Sequence, residues 1–184
     1  MHVQVFTTGG TIDKVYFDAR SAFEVGDPLI ADLFRQADVA FPFSVEVLFQ
    51  KDSLDLTDAD RERVAERVAA CDADRVVVTQ GTDTMAETAR AVAARLAGAD
   101  GGGGAAKTVV FVGSLAPARF KATDAEFNVG FAAAAVQTLG PGVYVAMNGR
   151  VFDPGTVRKD RAGNRFTDEP APPAPAAPPR PAPL

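Results

Sequence analysis

Two short stretches hold most of the hydroxyl chemistry in this 184-residue chain: Thr7-Thr8-Gly9-Gly10-Thr11-Ile12-Asp13 and Gln80-Gly81-Thr82-Asp83-Thr84-Met85. Each follows an apolar run that reads as a buried strand, over residues 3–6 and 76–78. Two loops dense in hydroxyl, glycine and acid, both at strand ends, point to one site built from hydroxyl side chains. Little else in the chain offers a nucleophile. The one histidine, His2, lies at the N-terminus, so a Ser-His-Asp or Cys-His mechanism lacks its positioned imidazole. Cys71 is the only cysteine and falls on the apolar face of a helix. A zinc site draws on several His or Cys ligands, so none is expected.

Each candidate has a plainer reading beside the chemical one. In Thr8-Gly9-Gly10-Thr11 the glycines let backbone amides approach a ligand closely, or merely make a tight turn after a strand. Gly81-Thr82-Asp83-Thr84 supplies preferred N-cap residues. A cap needs one oxygen, however, and this loop offers three side chains. Lys159 is a surface lysine by composition alone. Asp153-Pro154-Gly155 is a turn signature, and a hairpin of 150–152 with 156–158 folded about Pro154 brings Lys159 back to the ligand end. There a desolvated lysine near Thr82 has the character of a base. Ser53, in Lys51-Asp52-Ser53-Leu54-Asp55, is a turn residue or a carboxylate ligand, and Tyr16 a half-buried aromatic or a group that polarises a neighbouring hydroxyl. Gly101–104 with Lys107-Thr108 resembles a phosphate-binding loop, but Ala106 replaces the glycine before the lysine and a strand follows.

The elements that must position these residues alternate. Strands are expected at 3–6, 43–49, 75–79, 108–112 and 143–147, with Phe43, Val45, Val47 and Phe49 on one inner face. Helices are expected at 28–36, opened by Asp27 and Pro28, and at 57–70, with a Thr57/Asp60 capping box and Val64, Val68 and Cys71 inward. Two more follow, at 84–96 with Gly98 as C-cap, and at 124–139 with Phe127, Phe131 and Ala134 inward. The pattern predicts a single α/β domain. Its sheet is mostly parallel and doubly wound, Rossmann-like or flavodoxin-like, with helices on both faces. Ligands bind beyond the carboxyl ends of such strands. The loops at 7–13, 51–55, 80–84 and 113–123 all lie at that end.

Composition narrows the partners. The chain is 47% hydrophobic and 23% charged, with a net charge of −5, which argues against a nucleic-acid partner. No apolar run is long enough for a membrane span. A strand begins almost directly after Met1 and the only cysteine is unpaired, so a cytoplasmic location is expected. The folded domain is expected over 1–165, and 166–184 reads as a Pro/Ala-rich disordered tail.

These motifs together resemble the N-terminal domain of the bacterial L-asparaginase family. The resemblance rests on Thr8-Gly9-Gly10-Thr11-Ile12, Asp52-Ser53, Gly81-Thr82-Asp83-Thr84-Met85, Val112-Gly113-Ser114, Val145-Ala146-Met147-Asn148 and Lys159, in the family's order over about 3–160. It is similar to the family's short single-domain members. The resemblance implies a hydrolase that converts L-asparagine to L-aspartate and ammonia through a threonine acyl-enzyme, without cofactor or metal, as a homo-oligomer. It implies Thr11 as nucleophile, Tyr16 as its activator, and Thr82, Asp83 and Lys159 as a hydroxyl–carboxylate–lysine relay. Asp52, Ser53 and Asp83 would hold the amino-acid head group, with Asp83 on the substrate ammonium. Backbone amides near Gly10 and Gly81 would stabilise the oxyanion. Gln80 stands where many members have His, and Asp13 where many have Ala. A non-catalytic amino-acid binding module, and a glutaminase or other amidase, are the alternatives.

Overall fold

Val-rich strands with no polar alternation can only be satisfied by burial on both faces, and the sheet is built from them. The computed structural model describes residues 1–17, 22–99 and 106–168. Five strands are parallel: β1 (Val3–Thr7), β4 (Phe43–Val47), β5 (Arg75–Thr79), β6 (Thr108–Val112) and β7 (Gly142–Met147). They lie in the order β4-β1-β5-β6-β7, and an antiparallel strand β8 (Arg150–Phe152) closes one edge. The order reverses between β1 and β5, which pair in register from Val3↔Arg75 to Thr7↔Thr79. That is the flavodoxin-like winding, and its crevice opens between the carboxyl ends of these two strands. Two short ribbons stand outside the sheet: β2 (Lys14–Phe17) with β3 (Ala22–Val25), and β9 (Arg158–Asp160) with β10 (Arg165–Thr167).

Helices α2 (Asp58–Ala70) and α3 (Met85–Ala99) pack on each other, and α1 (Ile30–Gln36) packs on α4 (Ala125–Thr138). The α2 N-terminus forms the expected capping box: Asp60 N–H donates to Thr57 Oγ1 at 3.2 Å and Thr57 N–H to Asp60 Oδ2 at 2.9 Å. Lys51 adds two bonds to Asp60 at 2.8 and 2.9 Å. With the Thr57 groups it holds this carboxyl down at about 2. Val64, Val68, Met85, Ala89 and Val92 are buried as expected.

Several local expectations are corrected. The inward face of α4 carries Ala125, Asn128, Val129, Ala132 and Val136, while Phe127 is 62% exposed and Ala134 lies outside. Phe131 is half-buried and packs against the core as expected, whereas Phe127 is displaced by the alanine and valine stripe. Helix α1 starts at Ile30 and not at Pro28, and the Leu29 N–H at its head donates to Asp13 Oδ1 at 3.0 Å. Strand β4 ends at Val47, itself 51% exposed, because Leu48 and Phe49 both turn their N–H groups to Thr7 O. Gly98 lies inside α3. The hairpin expected between 150–152 and 156–158 does not form. Residues 150–152 turn back on β7 through Asn148-Gly149, both at positive φ, in a two-residue hairpin, and 158–160 pairs with 165–167. Strand β10 carries the buried Phe166, past the boundary expected at 165. Of the Pro/Ala-rich tail expected over 166–184, the part from 169 lies outside the described residues, as does the loop at 101–104. Lys107 is buried, and its ammonium donates to the carbonyls of Cys71 and Ala73 at the end of α2.

Phe111 is wholly buried at the centre of β6. Phe111→Ala should cost about 3–5 kcal/mol in urea unfolding, whereas Phe127→Ala should stay within about 1 kcal/mol for the dissociated chain. Similar losses in both would contradict this assignment of the faces.

Candidate active site

The loops after β1 and β5 are pressed together backbone to backbone. A Cβ added at Gly10 would stand 2.2 Å from the Gly81 nitrogen, and one at Gly81 would stand 2.7 Å from Ser53 Oγ. Gly10 has φ of +98°, which side-chain-bearing residues rarely adopt. Thr8 fixes the approach, its N–H and its hydroxyl both donating to Thr79 O at 3.0 and 3.1 Å. The contact is therefore flanked by Thr11, which opens a single 3-10 turn over Thr11–Asp13, and by Thr82, which is 3% exposed.

Ser53 joins from the third loop. It is buried, Asp83 N–H donates to its Oγ at 3.3 Å, and Thr84 Oγ1 donates to its carbonyl at 2.8 Å. Its neighbour Asp52 pairs with Lys14 at 2.7 Å. Burial pushes the Asp52 carboxyl up, but bonds from Lys14 and the Leu54 N–H, with the Lys14 and Lys159 charges, leave it below its ordinary value. Lys159 arrives from β9. Its Nζ donates to Thr82 Oγ1 at 2.7 Å and to Asp83 Oδ1 at 3.0 Å. The structure thus brings Gly10, Thr11, Asp52, Ser53, Gly81, Thr82, Asp83 and Lys159 to the carboxyl ends of β1 and β5. Tyr16 stands apart on the β2–β3 ribbon: it is 54% exposed, with its ring edge-on to Phe23 at 5.4 Å.

Four positioning features were not read from the sequence. Asn128 Nδ2 donates to Gly113 O and its Oδ1 accepts the Asn148 N–H. Asn148 Oδ1 accepts the Phe166 N–H at 2.9 Å, and Phe166 faces Lys159 across the ribbon. This chain sets the height of Lys159, and the Asn148-Gly149 dipeptide was the available signal for its turn. Arg161, two residues after Lys159, reaches Asp83 Oδ1 at 3.3 Å. Lys14 covers Asp52. Asp13, 1% exposed, anchors the Thr11 turn: its carbonyl accepts Gly26 N–H and its Oδ1 accepts Leu29 N–H.

Comparison with known proteins decides the family. The asparaginase N-terminal family model matches residues 2–173. This chain belongs to that family. It is 38% identical over 96 residues to one component of the glutamyl-tRNA(Gln) amidotransferase of Thermoplasma acidophilum, covering 50% of this chain and 23% of that protein. It is 32% identical over 168 residues to a probable periplasmic L-asparaginase of Haemophilus influenzae, covering 86% and 46%. Among solved structures it resembles the probable cytoplasmic L-asparaginase of Campylobacter jejuni, with a TM-score of 0.74 and 29% identity over 91% of this chain and 52% of that one. The chain spans about half, or less, of the length of these relatives.

The buried Asp13 carboxyl gives the asparaginase-family fold here a pH signature. Burial pushes it up to about 6, against the Leu29 N–H and the Arg119 charge. The folded chain then holds this proton more tightly than the unfolded chain does. The stabilisation is full below the ordinary 3.8 and is lost as pH rises through 6. Asp13→Asn removes the titration. From pH 4.5 to 7.5 the wild type should lose about 2 kcal/mol more in urea unfolding than the variant does. Identical pH dependence in both proteins would refute the assignment.

Proposed function

We propose that this chain is an amide hydrolase that releases ammonia from L-asparagine, with threonine hydroxyls as its reacting groups. The observation that carries the reading is the Lys159–Thr82 bond of 2.7 Å, with Asp83 on the same ammonium. Negative charge developing on Thr82 Oγ1 lies against a cation within a largely buried setting, where such a contact is stronger than in water. Thr11, on the facing loop, has the exposure a nucleophile needs.

In this reading the Thr11 hydroxyl adds to the side-chain carbonyl of asparagine. The C–N bond breaks, the hydroxyl proton leaves on ammonia, and an ester to Thr11 remains. Water, its proton drawn to Thr82 beside Lys159, cleaves the ester and returns a proton to Thr11. Backbone N–H groups at the Gly10–Gly81 contact are suited to hold the oxyanion, a contribution of about 3–4 kcal/mol per donor in well-studied hydrolases. Ser53 and Asp52 supply polar contacts for the head group. Tyr16 is the remaining candidate activator of Thr11. A cytoplasmic location is part of the proposal. Among the described residues no helix is long and apolar enough to cross a membrane.

Thr11→Ala and Thr82→Ala should each lower ammonia release from L-asparagine by at least about 10³-fold with thermal unfolding unchanged. Activity surviving both changes refutes the threonine mechanism. Saturable binding of L-asparagine by wild type without ammonia identifies a binding module instead.

We also propose a homo-oligomer. The apolar face that would join copies includes exposed Phe127 stacked on Phe131 at 6.4 Å. Light scattering at micromolar concentration should return a multiple of 19.2 kDa. A monomer mass counts against it.

A further inference from the structure

Asn128 is wholly buried on α4, where the β6 loop, the head of its own helix and the β7–β8 turn meet. Its Nδ2 donates to Gly113 O at 3.1 Å and to Asp124 Oδ2 at 2.8 Å, and its Oδ1 accepts the Asn148 N–H at 3.2 Å. Acceptors at one end of the amide and a donor at the other fix which way it faces. A carboxylate at 128 would stand against Asp124 and the Gly113 carbonyl, so an amide fits here and an acid does not.

Two arms leave this residue. On one side Asp124 Oδ1 accepts the Leu115 and Ala116 N–H groups, each at 3.0 Å. The loop held in this way gives its Ala118 N–H to Ile12 O at 3.0 Å, within the turn that Thr11 opens. On the other side Asn148 Oδ1 accepts the Phe166 N–H at 2.9 Å. Phe166 pairs with Lys159 across the ribbon, and its N–H is directed away from β9 towards Asn148. Lys159 Nζ ends this arm, 2.7 Å from Thr82 Oγ1. The Thr11 turn and the relay cation are therefore both referred to one buried amide.

A two-stranded ribbon is marginal by itself, so its outside partners decide where it lies. The buried Phe166 ring supplies apolar contact without direction, whereas the bond at its N–H is directional. Resting on the amide-hydrolase reading, we propose that Asn148, held by Asn128, is a positioning residue for the reaction: its side-chain oxygen keeps the Lys159 ammonium at hydrogen-bond distance from the Thr82 hydroxyl. It touches no reacting atom. Misplacing a catalytic group by about 1 Å costs up to about 10²-fold in rate, so the loss of this one acceptor is read in turnover.

Replacing the buried Asn128 endangers the fold, so the test is made at Asn148, which is exposed and has φ of +53°. Glycine takes that conformation freely and removes only the side chain, whereas aspartate keeps the accepting oxygen. In the full chain Asn148→Gly should lower kcat for ammonia release from L-asparagine by at least about tenfold, with KM within about twofold. Asn148→Asp should stay within about threefold of wild type in kcat. A second readout does not need turnover: trace acetylation by acetic anhydride, followed by mass spectrometry with Lys51 as the internal reference. Lys159 should acetylate at least about threefold faster in Asn148→Gly than in wild type or Asn148→Asp, because its amine leaves Thr82 and Asp83 more often. Unchanged kcat in Asn148→Gly overturns the proposal. So does an equal loss in Asn148→Asp, a loss confined to KM, or unchanged acetylation of Lys159. Absence of ammonia from wild type defeats the hydrolase reading, and the acetylation order then decides by itself whether Asn148 places the lysine.

Discussion

Gly10 against Gly81 is the contact on which the site depends, since it sets how near the two hydroxyl loops approach. Neither position has room for a methyl group, and Gly10 has a backbone conformation that a side chain would strain. The contact exists because β1 and β5 are direct parallel neighbours whose last residues, Thr7 and Thr79, stand in register. Their loops must leave the sheet side by side, and the helices that follow lie on opposite faces. The crevice where they part is the place where an α/β sheet exposes backbone N–H groups without a strand partner. A site assembled from hydroxyls and amides can be built there with little side-chain machinery.

What the crevice does not supply is a cation, and the fold brings it from far along the chain. Lys159 sits on a ribbon outside the sheet, whose position is held by the Asn128–Asn148–Phe166 chain of hydrogen bonds. A buried hydroxyl beside an ammonium is useful only if the distance is kept, and packed polar side chains keep distance better than a free loop. Thr7 Oγ1, Thr79 Oγ1 and Gln80 Oε1 are buried under the site without a hydrogen bond among the described residues.

Strand and helix types were legible because the Val-rich runs and the capping box act locally. The Thr57/Asp60 pair announces α2 by itself. Residues 76–78 and 109–112 can only be central strands. Partnerships over long range were not legible. The head of α1 is capped by Asp13, sixteen residues upstream. The inward face of α4 is chosen by fit to the sheet, which puts Phe127 outside despite its hydrophobicity. The route of Lys159 into the site was read through the wrong hairpin. Asn148-Gly149 makes the turn that Asp153-Pro154-Gly155 was expected to make, and yet the lysine arrives at the same end because β9 is anchored through β10. The site's members were visible as motifs, whereas the burial of Asp13 and the pairing of Arg161 with Asp83 are properties of packing.

That last pairing ties the relay to the ribbon outside the sheet. The hydroxyls belong to loops fixed by sheet register, so they change little without loss of the fold. The two cations on Asp83, Lys159 and Arg161, come from the two-stranded ribbon. Arg158 and Arg161 are exposed and replaceable at small cost to stability. In this chain the ribbon that carries the relay cation also sets Arg161 against Asp83, so one two-stranded element holds the ammonium on Thr82 and fixes the charges beside it.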